Sequence, residues 1–276
     1  MHLALGATRF DLTHRALVMG ILNRTRDSFF DQGAYWDLDA FYRRADQLVD
    51  EGADLLDVGG VKAGPGPEVD EQEELARVGP AIAGLRDRFD LPLSVDTWRA
   101  SVARAAFAEG AVLGNDISGF SDPGYLPAAA QAGAAVVATH IRIAPRVADP
   151  EPVYDDVVVD VHAFLLERAH RAETAGIGAD RIVLDAGLDL GKTWQQSLCL
   201  LRASGSLAAL GYPLLLSASN KTFLGRLLDL DLADRRLASH AAHALGVARG
   251  CRILRVHDVR GARRVVDVLA AVLAAP

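Results

Sequence analysis

Short apolar runs alternate with longer amphipathic segments along this chain. Apolar runs of this length, followed by turn residues, are typical of strands that are buried on both faces of a parallel sheet. We predict eight such strands, at residues 16–22, 55–58, 91–95, 112–117, 135–141, 182–185, 213–219 and 252–259.

Helical patterns fill the intervals between these strands, and most of them stop at a glycine, the residue that commonly follows a helix end. They cover residues 38–51, 69–89, 100–109, 126–132, 155–175, 194–210 and 232–249. The apolar stretch at 265–275 is predicted to be a final packing helix. Repeated alternation of strand and helix implies parallel strands joined by right-handed crossovers.

Eight strand–helix units fit a closed (β/α)8 barrel, or TIM barrel, so the predicted fold class is α/β. The alternative is an open doubly wound sheet, but no Gly-x-Gly-x-x-Gly pattern follows the first strand, which argues against a dinucleotide-binding sheet. Because no linker is found, we expect a single domain over residues 1–276. Residues 1–14 are expected to form a short hairpin that closes the barrel floor.

The composition of the chain limits its possible binding partners and the cellular compartment that we expect for it. The chain has 276 residues, 50% of them hydrophobic, and a formal net charge of -7, which argues against nucleic acid as a general partner. Cys199 and Cys251 are both expected to be buried free thiols, and without a disulfide framework a reducing cytoplasm is the default. No secretion signal or membrane-spanning run is found, so we expect no membrane association.

Polar residues collect where the predicted strands end. In a parallel barrel these ends meet at one rim, which is where such barrels place their chemistry. The residues expected there are Asn23, Asp57, Asp96, Asn115, Asp116, His140, Asp185, Ser219, Lys221, Arg255 and His257. For one residue such as Asp57 or Asp116, a satisfied structural polar group is an equally good interpretation. The whole set is too polar for a barrel interior unless it faces a ligand or a hydrogen-bonded network.

The residue types at this rim point to recognition of a planar heterocycle that is rich in hydrogen-bond donors. Carboxylates such as Asp96 and Asp185 accept hydrogen bonds from ring N–H and amino groups, and Asn115 offers both a donor and an acceptor. Lys221 can donate to a ring carbonyl or nitrogen, and Arg255 can stack on a ring face or hold an anion.

The other candidates at the rim suit different roles. His257 and Asn23 suit an anionic group or a metal carried by it. His140 is interpreted as a packing or hydrogen-bonded histidine, because no spacing resembles a zinc site. The Gly-Lys pair at 191–192 lacks the rest of a phosphate-loop pattern.

These residues fall in seven ordered motifs that together resemble the dihydropteroate synthase family. The motifs are MGILN at 19–23, DVGG at 57–60, SVDT at 94–97, NDISG at 115–119, DAG at 185–187 with GK at 191–192, SNK at 219–221 and RVHDV at 255–259. Each motif alone is a weak signal, but seven in the family's order cover nearly the whole chain.

The resemblance implies a TIM barrel, usually a homodimer, that joins 6-hydroxymethyl-dihydropterin diphosphate to the arylamine p-aminobenzoate with Mg2+ and releases diphosphate. It implies that Asp96, Asn115, Asp185 and Lys221 hold the pterin, with Asp96, Asp185 and Lys221 closest to the chemistry. It further implies four residues for substrate or metal: Arg255 and His257 for the ring and the diphosphate, Ser219 for substrate, and Asn23 for magnesium.

The chain departs from the family pattern in two loops. After the first strand the family's NVTPDSF is replaced by NRTRDSF at 23–29, which introduces Arg24 and Arg26. After the second strand ESTRPG is replaced by VKAGPG at 61–66, so that a threonine and an arginine become Ala63 and Gly64. Arg24, Arg26 or Lys62 can supply positive charge from another direction; solvated loop charge is the alternative interpretation.

Smaller departures lie elsewhere in the motifs. The family's phenylalanine and proline after the sixth strand are replaced by Leu190 and Ala186, and an arginine in the seventh motif is replaced by Asn220. Thr139 and Ile141 stand where methionines are usual. The pattern resembles a divergent second paralogue found in some actinobacteria.

Three functions therefore remain open. The first is a transferase of the dihydropteroate synthase type, and the second is a pterin-binding paralogue without synthase activity. The third is a pterin-dependent methyl carrier that would need a corrinoid partner. We favour the first.

Overall fold

A closed barrel of eight parallel strands forms the centre of the molecule. The computed structural model describes residues 1–25 and 37–275. The barrel strands are β3 Leu17–Asn23, β4 Leu55–Gly59, β5 Leu93–Asp96, β6 Leu113–Asp116, β7 Ala135–Thr139, β8 Ile182–Asp185, β9 Leu214–Leu216 and β10 Cys251–Val256. Their order is β10-β3-β4-β5-β6-β7-β8-β9, closed on itself. The predicted barrel is confirmed, and the open sheet is excluded.

Two short strands precede the barrel. β1 His2–Leu5 and β2 Thr8–Asp11 pair antiparallel as a hairpin, and Gly6 in its turn has a φ of 58°. A positive φ of this size is easy for glycine, which has no Cβ. Leu3 and Leu5 are buried in one apolar cluster with Leu17 and Leu55, which begin their strands. The hairpin therefore packs at the end of the barrel opposite the strand exits.

Ten α-helices are described. They are α1 Leu38–Asp50, α2 Glu71–Arg88, α3 Ala100–Ala108, α4 Tyr125–Ala132, α5 Val157–Thr174, α6 Trp194–Arg202, α7 Ser204–Ala208, α8 Thr222–Leu228, α9 Arg235–Ala248 and α10 Val259–Leu273. Their apolar faces pack on the strands and form a second, larger core. No helix in the described part of the chain is long and apolar enough to cross a membrane.

The helices differ from the predicted ones in four places. The segment predicted at 194–210 is two helices that meet at Ala203, and the segment at 232–249 begins with a 3-10 turn, Leu232–Asp234. Helix α8 was not predicted, because its seven residues are too few for a clear periodic pattern. The last helix begins at Val259 rather than 265 because Asp258 caps it, accepting a hydrogen bond from the Gly261 N–H.

The two cysteines differ in burial. Cys251 is buried and free, as predicted, but Cys199 is only partly buried, so that part of the prediction was wrong. Cys199 lies on α6 and packs at the edge of the larger core, where one side of the helix still meets solvent.

Candidate active site

A cavity of about 400 Å³ opens at the end of the barrel where the strands exit. Six of the eight predicted site residues line it: Asn23, Asp96, Ser219, Lys221, Arg255 and His257. The other two, Asn115 and Asp185, are buried behind these lining side chains, with exposed fractions of 3% and 6%. The strand ends therefore bring the predicted residues together at one rim, since all eight strands run in the same direction.

Arg255 joins two carboxylates at the centre of this rim. Its Nε donates to Asp57 Oδ2 at 2.6 Å, and its Nη2 donates to Asp96 Oδ2 at 2.6 Å. Asp57 also accepts from Ser94 Oγ at 2.5 Å and from Asn115 Nδ2 at 3.1 Å. One fully buried carboxylate thus sets the orientation of Arg255 and of Asn115, whose amide then has a defined direction for a ligand.

Asp57 was placed at the rim by the sequence but was left out of the predicted binding set. The signal was a charged residue inside a run of apolar residues, in a strand whose every residue is buried. A buried carboxylate needs several partners. Those partners come from β5, β6 and β10, which are distant in the sequence, and so the role of Asp57 depends on the closed barrel.

Burial changes the acidity of Asp96, which lines the cavity, and of the buried Asp185. It raises the pKa of Asp96 to about 7, in spite of the opposing charge of Arg255 and with help from the charge of Asp57. Burial also raises the pKa of Asp185, against the hydrogen bond from Gly187 and the positive charge of Lys221. Raised pKa values on buried acids in a cleft are typical of functional sites.

The loop after β8 holds Asp185 and Lys221 in place. Asp185 Oδ1 accepts from the Gly187 N–H at 2.8 Å, and Lys221 Nζ donates to the carbonyl oxygen of Leu188 at 2.8 Å. Gly187 has a φ of 64°, and a Cβ there would lie 2.0 Å from the carbonyl oxygen of His140. Only glycine fits this turn. Burial lowers the pKa of Lys221, while Asp189 and Asp185 raise it.

Lys192 stabilises the same loop through hydrogen bonds. Its Nζ lies 2.9 Å from His140 Nδ1 and donates to the carbonyl oxygens of Gly187 and Leu190, each at 2.9 Å. Burial lowers the pKa of His140 to about 3, so its ring is neutral. His140 is therefore a buried, hydrogen-bonded histidine, as the sequence indicated, and Lys192 contacts its ring and nearby backbone carbonyls.

His257 faces the cavity beside Ser219. Ser219 Oγ lies 3.0 Å from His257 Nδ1 and accepts from the His257 backbone N–H at 3.2 Å. Burial, followed by the charge of Arg255, lowers the pKa of His257 to about 3, so the ring is neutral. A neutral ring that accepts the serine proton at Nδ1 carries its own proton on Nε2, which makes Nε2 a donor.

The loop after β4 forms one wall of the cavity, through Lys62, Ala63, Gly64 and Pro65. Arg146, from the loop after β7, fixes this wall. Its backbone N–H donates to the Ala63 carbonyl oxygen at 3.0 Å, its Nη1 donates to the Lys62 carbonyl oxygen at 3.2 Å, and its Nη2 donates to the carbonyl oxygen of Pro67.

The two candidate compensating charges that the structure describes, Lys62 and Arg24, have different positions. Lys62 lines the cavity. Arg24 Nη1 instead donates to the carbonyl oxygens of Ala76, at 3.2 Å, and Arg77, at 2.7 Å, on α2. Pro80 lies four residues after Ala76 and has no N–H, so the Ala76 carbonyl lacks its usual helical partner and is available to Arg24. Arg26 lies outside the described residues.

A cavity at the strand exits of a parallel barrel, built around buried carboxylates, a lysine and an arginine, is typical of an enzyme that binds a small molecule. Residues 19–257 match the family model described as pterin binding enzyme. The chain therefore belongs to the pterin binding enzyme family.

Relatives in this family carry synthase names. The chain is 44% identical to "Inactive dihydropteroate synthase 2" of Mycobacterium leprae, over 94% of this chain and 91% of that protein. It is 40% identical to dihydropteroate synthase of Bacillus subtilis, over 94% and 89% of the two chains. It is thus of the dihydropteroate synthase type, with both active and inactive forms named among its relatives.

Solved structures agree with this assignment. A Yersinia pestis dihydropteroate synthase with a sulfonamide drug complex superposes with a TM-score of 0.95 at 38% identity, over 100% of both chains. The Xanthomonas albilineans enzyme in complex with 7,8-dihydropteroate superposes with a TM-score of 0.88 at 40% identity, also over 100% of both.

Proposed function

We propose that this chain is a transferase that joins the methylene carbon of 6-hydroxymethyl-dihydropterin diphosphate to the nitrogen of p-aminobenzoate or a related arylamine. The observation that carries the proposal is the shared cavity of Asp96, Lys221 and Arg255, with Asn115 and Asp185 directly behind it. These residues match the donor and acceptor pattern of a pterin ring.

Each group has a task in this reaction. The carbon–oxygen bond to diphosphate breaks with its electron pair on the leaving group, and the amine nitrogen then bonds to the methylene carbon and loses a proton. Asp96 and Asp185 stabilise the positive charge that develops on the pterin methylene. Arg255 and the Nε2–H of His257 face the departing diphosphate. The bound substrates fill the cavity and so keep water from capturing the cation.

Magnesium fits this site as a partner of the diphosphate. Asn23 offers an amide oxygen to the cavity, and a Cβ at Gly59 would lie 3.2 Å from that oxygen, so glycine keeps the space beside it open. The described residues contain no cluster of three metal-binding side chains. Mg2+ is commonly held by one or two protein oxygens together with substrate phosphates. Bound there, it would neutralise diphosphate charge.

The remaining properties are also proposals. Exposed apolar side chains on the last two helices, Leu237, Leu245, Val268 and Val272, support a homodimer. The molar mass of the chain in solution tests that assembly. A cytoplasmic location and the absence of a nucleic-acid partner are expected from the cysteine content and the net charge of -7.

Product formation tests the proposed reaction. The intact chain, incubated with pterin diphosphate, p-aminobenzoate and Mg2+, should release diphosphate and form dihydropteroate. Asp185→Ala should weaken pterin binding by about 100-fold, because the ring loses a charged acceptor, worth about 2–3 kcal/mol. Calorimetric titration measures this loss. No product at enzyme concentrations close to that of the substrate would contradict the transferase.

One observation favours a second candidate, a pterin-binding protein without synthase activity. Ala63 and Gly64 line the cavity where the family pattern has threonine and arginine, so this wall lacks an anion-binding side chain at both positions. The relative from Mycobacterium leprae named inactive fits the same interpretation. This candidate predicts pterin affinity that depends on Asp185, with no diphosphate release.

Pterin affinity should depend on pH through Asp96. Ionised Asp96 accepts ring hydrogen bonds, so affinity should fall by up to about tenfold per pH unit as the pH drops below about 7, the pKa that burial imposes. Calorimetry with 6-hydroxymethylpterin between pH 5.5 and 8.5 measures the slope. Asp96→Asn should bind more weakly and reduce the slope, and an unchanged slope in that variant would contradict the assignment.

The raised pKa of Asp96 also makes the stability of the folded protein depend on pH, with a trend opposite to that of pterin affinity. In the unliganded protein, Asp96 has a higher pKa in the folded state than its ordinary value of 3.8, so the folded state binds the proton more tightly. The stability linked to this proton is fully present below about pH 4 and is lost as the pH rises through about 7. Bound pterin should reverse this trend.

A further inference from the structure

A second cavity, of about 340 Å³, lies beside the first. It is enclosed by the loops that follow β4, β7 and β8, and its volume alone is within the range of small-molecule sites, which begins at about 300 Å³. The two cavities share five lining residues: Ala63, Gly64, Pro65, Asp189 and Leu190. The boundary between them is therefore a single layer of residues.

At Gly64 the boundary between the two cavities has no side chain. A Cβ placed on Gly64 would meet no heavy atom within 4 Å, and its φ lies outside the left-handed region. Ala63 beside it contributes only a methyl group. The space next to the shared wall is therefore open, and a ligand seated in the first cavity can extend along Gly64 toward the second.

The second cavity has several apolar lining residues beside its charged ones. Ile141, Ile143, Val147 and Pro150 line it, and Ile143 and Val147 keep exposed fractions of 50% and 53%. Large side chains that remain this exposed beside a cavity gain by contact with an apolar ligand group.

The charged groups that line the second cavity already have partners within the chain. Arg146 binds the carbonyl oxygens of Lys62 and Pro67, and Asp149 forms an ion pair with Arg142. Lys192 donates to the carbonyl oxygens of Gly187 and Leu190, and Asp189 accepts from the Phe223 N–H. The cavity therefore favours an uncharged occupant, because a new charge would be desolvated without a dedicated partner.

We propose that the acceptor of this enzyme is an arylamine that carries an uncharged apolar group at the end opposite its amine, and that this group occupies the second cavity. The inference rests on the proposed function, since the amine must face the pterin methylene in the first cavity. The far end of the acceptor then points away from the pterin, past Leu190, which lines both cavities.

Equilibrium binding tests this acceptor class. The intact chain, saturated with 6-hydroxymethylpterin, is titrated with p-aminobenzoate, with 4-aminobenzanilide, which adds an uncharged phenyl ring, and with 4-aminobenzoylglutamate, which adds charge. The anilide should bind at least about tenfold more tightly than the other two, since burial of a ring stabilises the complex.

Two variants locate the apolar group. Gly64→Leu places a side chain in the open space at the boundary, and Ala144→Phe fills the second cavity from its far side. Each should remove the tenfold preference for the anilide. Ala144 lines only the second cavity, so Ala144→Phe should do this while changing p-aminobenzoate affinity by less than about threefold. Gly79→Leu is the matched control, because Gly79 also has no heavy atom within 4 Å of a Cβ and lines neither cavity.

The result separates this inference from the proposed reaction. Equal affinity for the anilide and p-aminobenzoate, no binding of either, or equal loss of both in Ala144→Phe would overturn the inference. The pterin used carries no diphosphate leaving group, so the titrations measure amine binding without the transfer reaction. Absence of diphosphate release with every amine would instead refute the transferase.

Discussion

Asp57→Ala should lower the free energy of unfolding by about 3–5 kcal/mol, as expected when one partner of a buried ion pair is removed. Asp57 is fully buried and accepts hydrogen bonds from Ser94, Asn115 and Arg255. Its loss leaves three donors without that acceptor, and Arg255 keeps only its contact with Asp96. Urea unfolding followed by circular dichroism measures the change.

The matched control is Asp90→Ala. Asp90 is fully exposed and lies 3.9 Å from Arg86 in a surface pair, so its removal should change stability by less than about 0.5 kcal/mol. Asp57→Ala should also weaken pterin binding, because Arg255 and Asn115 lose their common anchor. A folded variant with unchanged stability would show that Asp57 does not support the rim.

The double substitution Ala63→Thr with Gly64→Arg should raise kcat/KM with p-aminobenzoate by about 100-fold, comparable to the contribution of one well-placed charged donor in a transition state. The new arginine faces the cavity from the wall formed by residues 62–65, where it adds positive charge for the departing diphosphate. A diphosphate-release assay measures the gain. Pterin affinity should stay unchanged, because the ring contacts lie on other strands.

The double substitution Ala63→Thr with Gly64→Gln distinguishes the effect of the added positive charge from the effect of the larger side chain. Glutamine has a shorter, uncharged side chain, and it should give little or no gain. The arginine also fills the open space at Gly64, so 4-aminobenzanilide should lose its preference in the same variant. Equal gains with arginine and glutamine, or no gain with either, would exclude the missing charge as the cause of low activity.

The barrel itself was predictable because its signal is local and repeated. Each strand is a short apolar run, each helix has an amphipathic pattern, and parallel strands must exit at one rim. Strand ends were less predictable: residues 213–219 look like one strand, but only Leu214–Leu216 pair with neighbours, and Ser217 and Ser219 turn into the cavity. An apolar run indicates that its residues are buried, but it does not indicate where the hydrogen bonds between neighbouring strands end.

The sequence by itself determined the fold class, the rim at which polar residues meet and the resemblance to a pterin-binding family, since periodicity and motif order depend only on residue type. The tertiary structure decided which groups bind each other. In the structure, Asp57 accepts a hydrogen bond from Arg255, and Arg24 donates to the Ala76 carbonyl, which lacks a helical partner because of Pro80. Two cavities also share a wall at Gly64. These contacts link residues from different strands, helices and loops, and only the folded barrel brings them together.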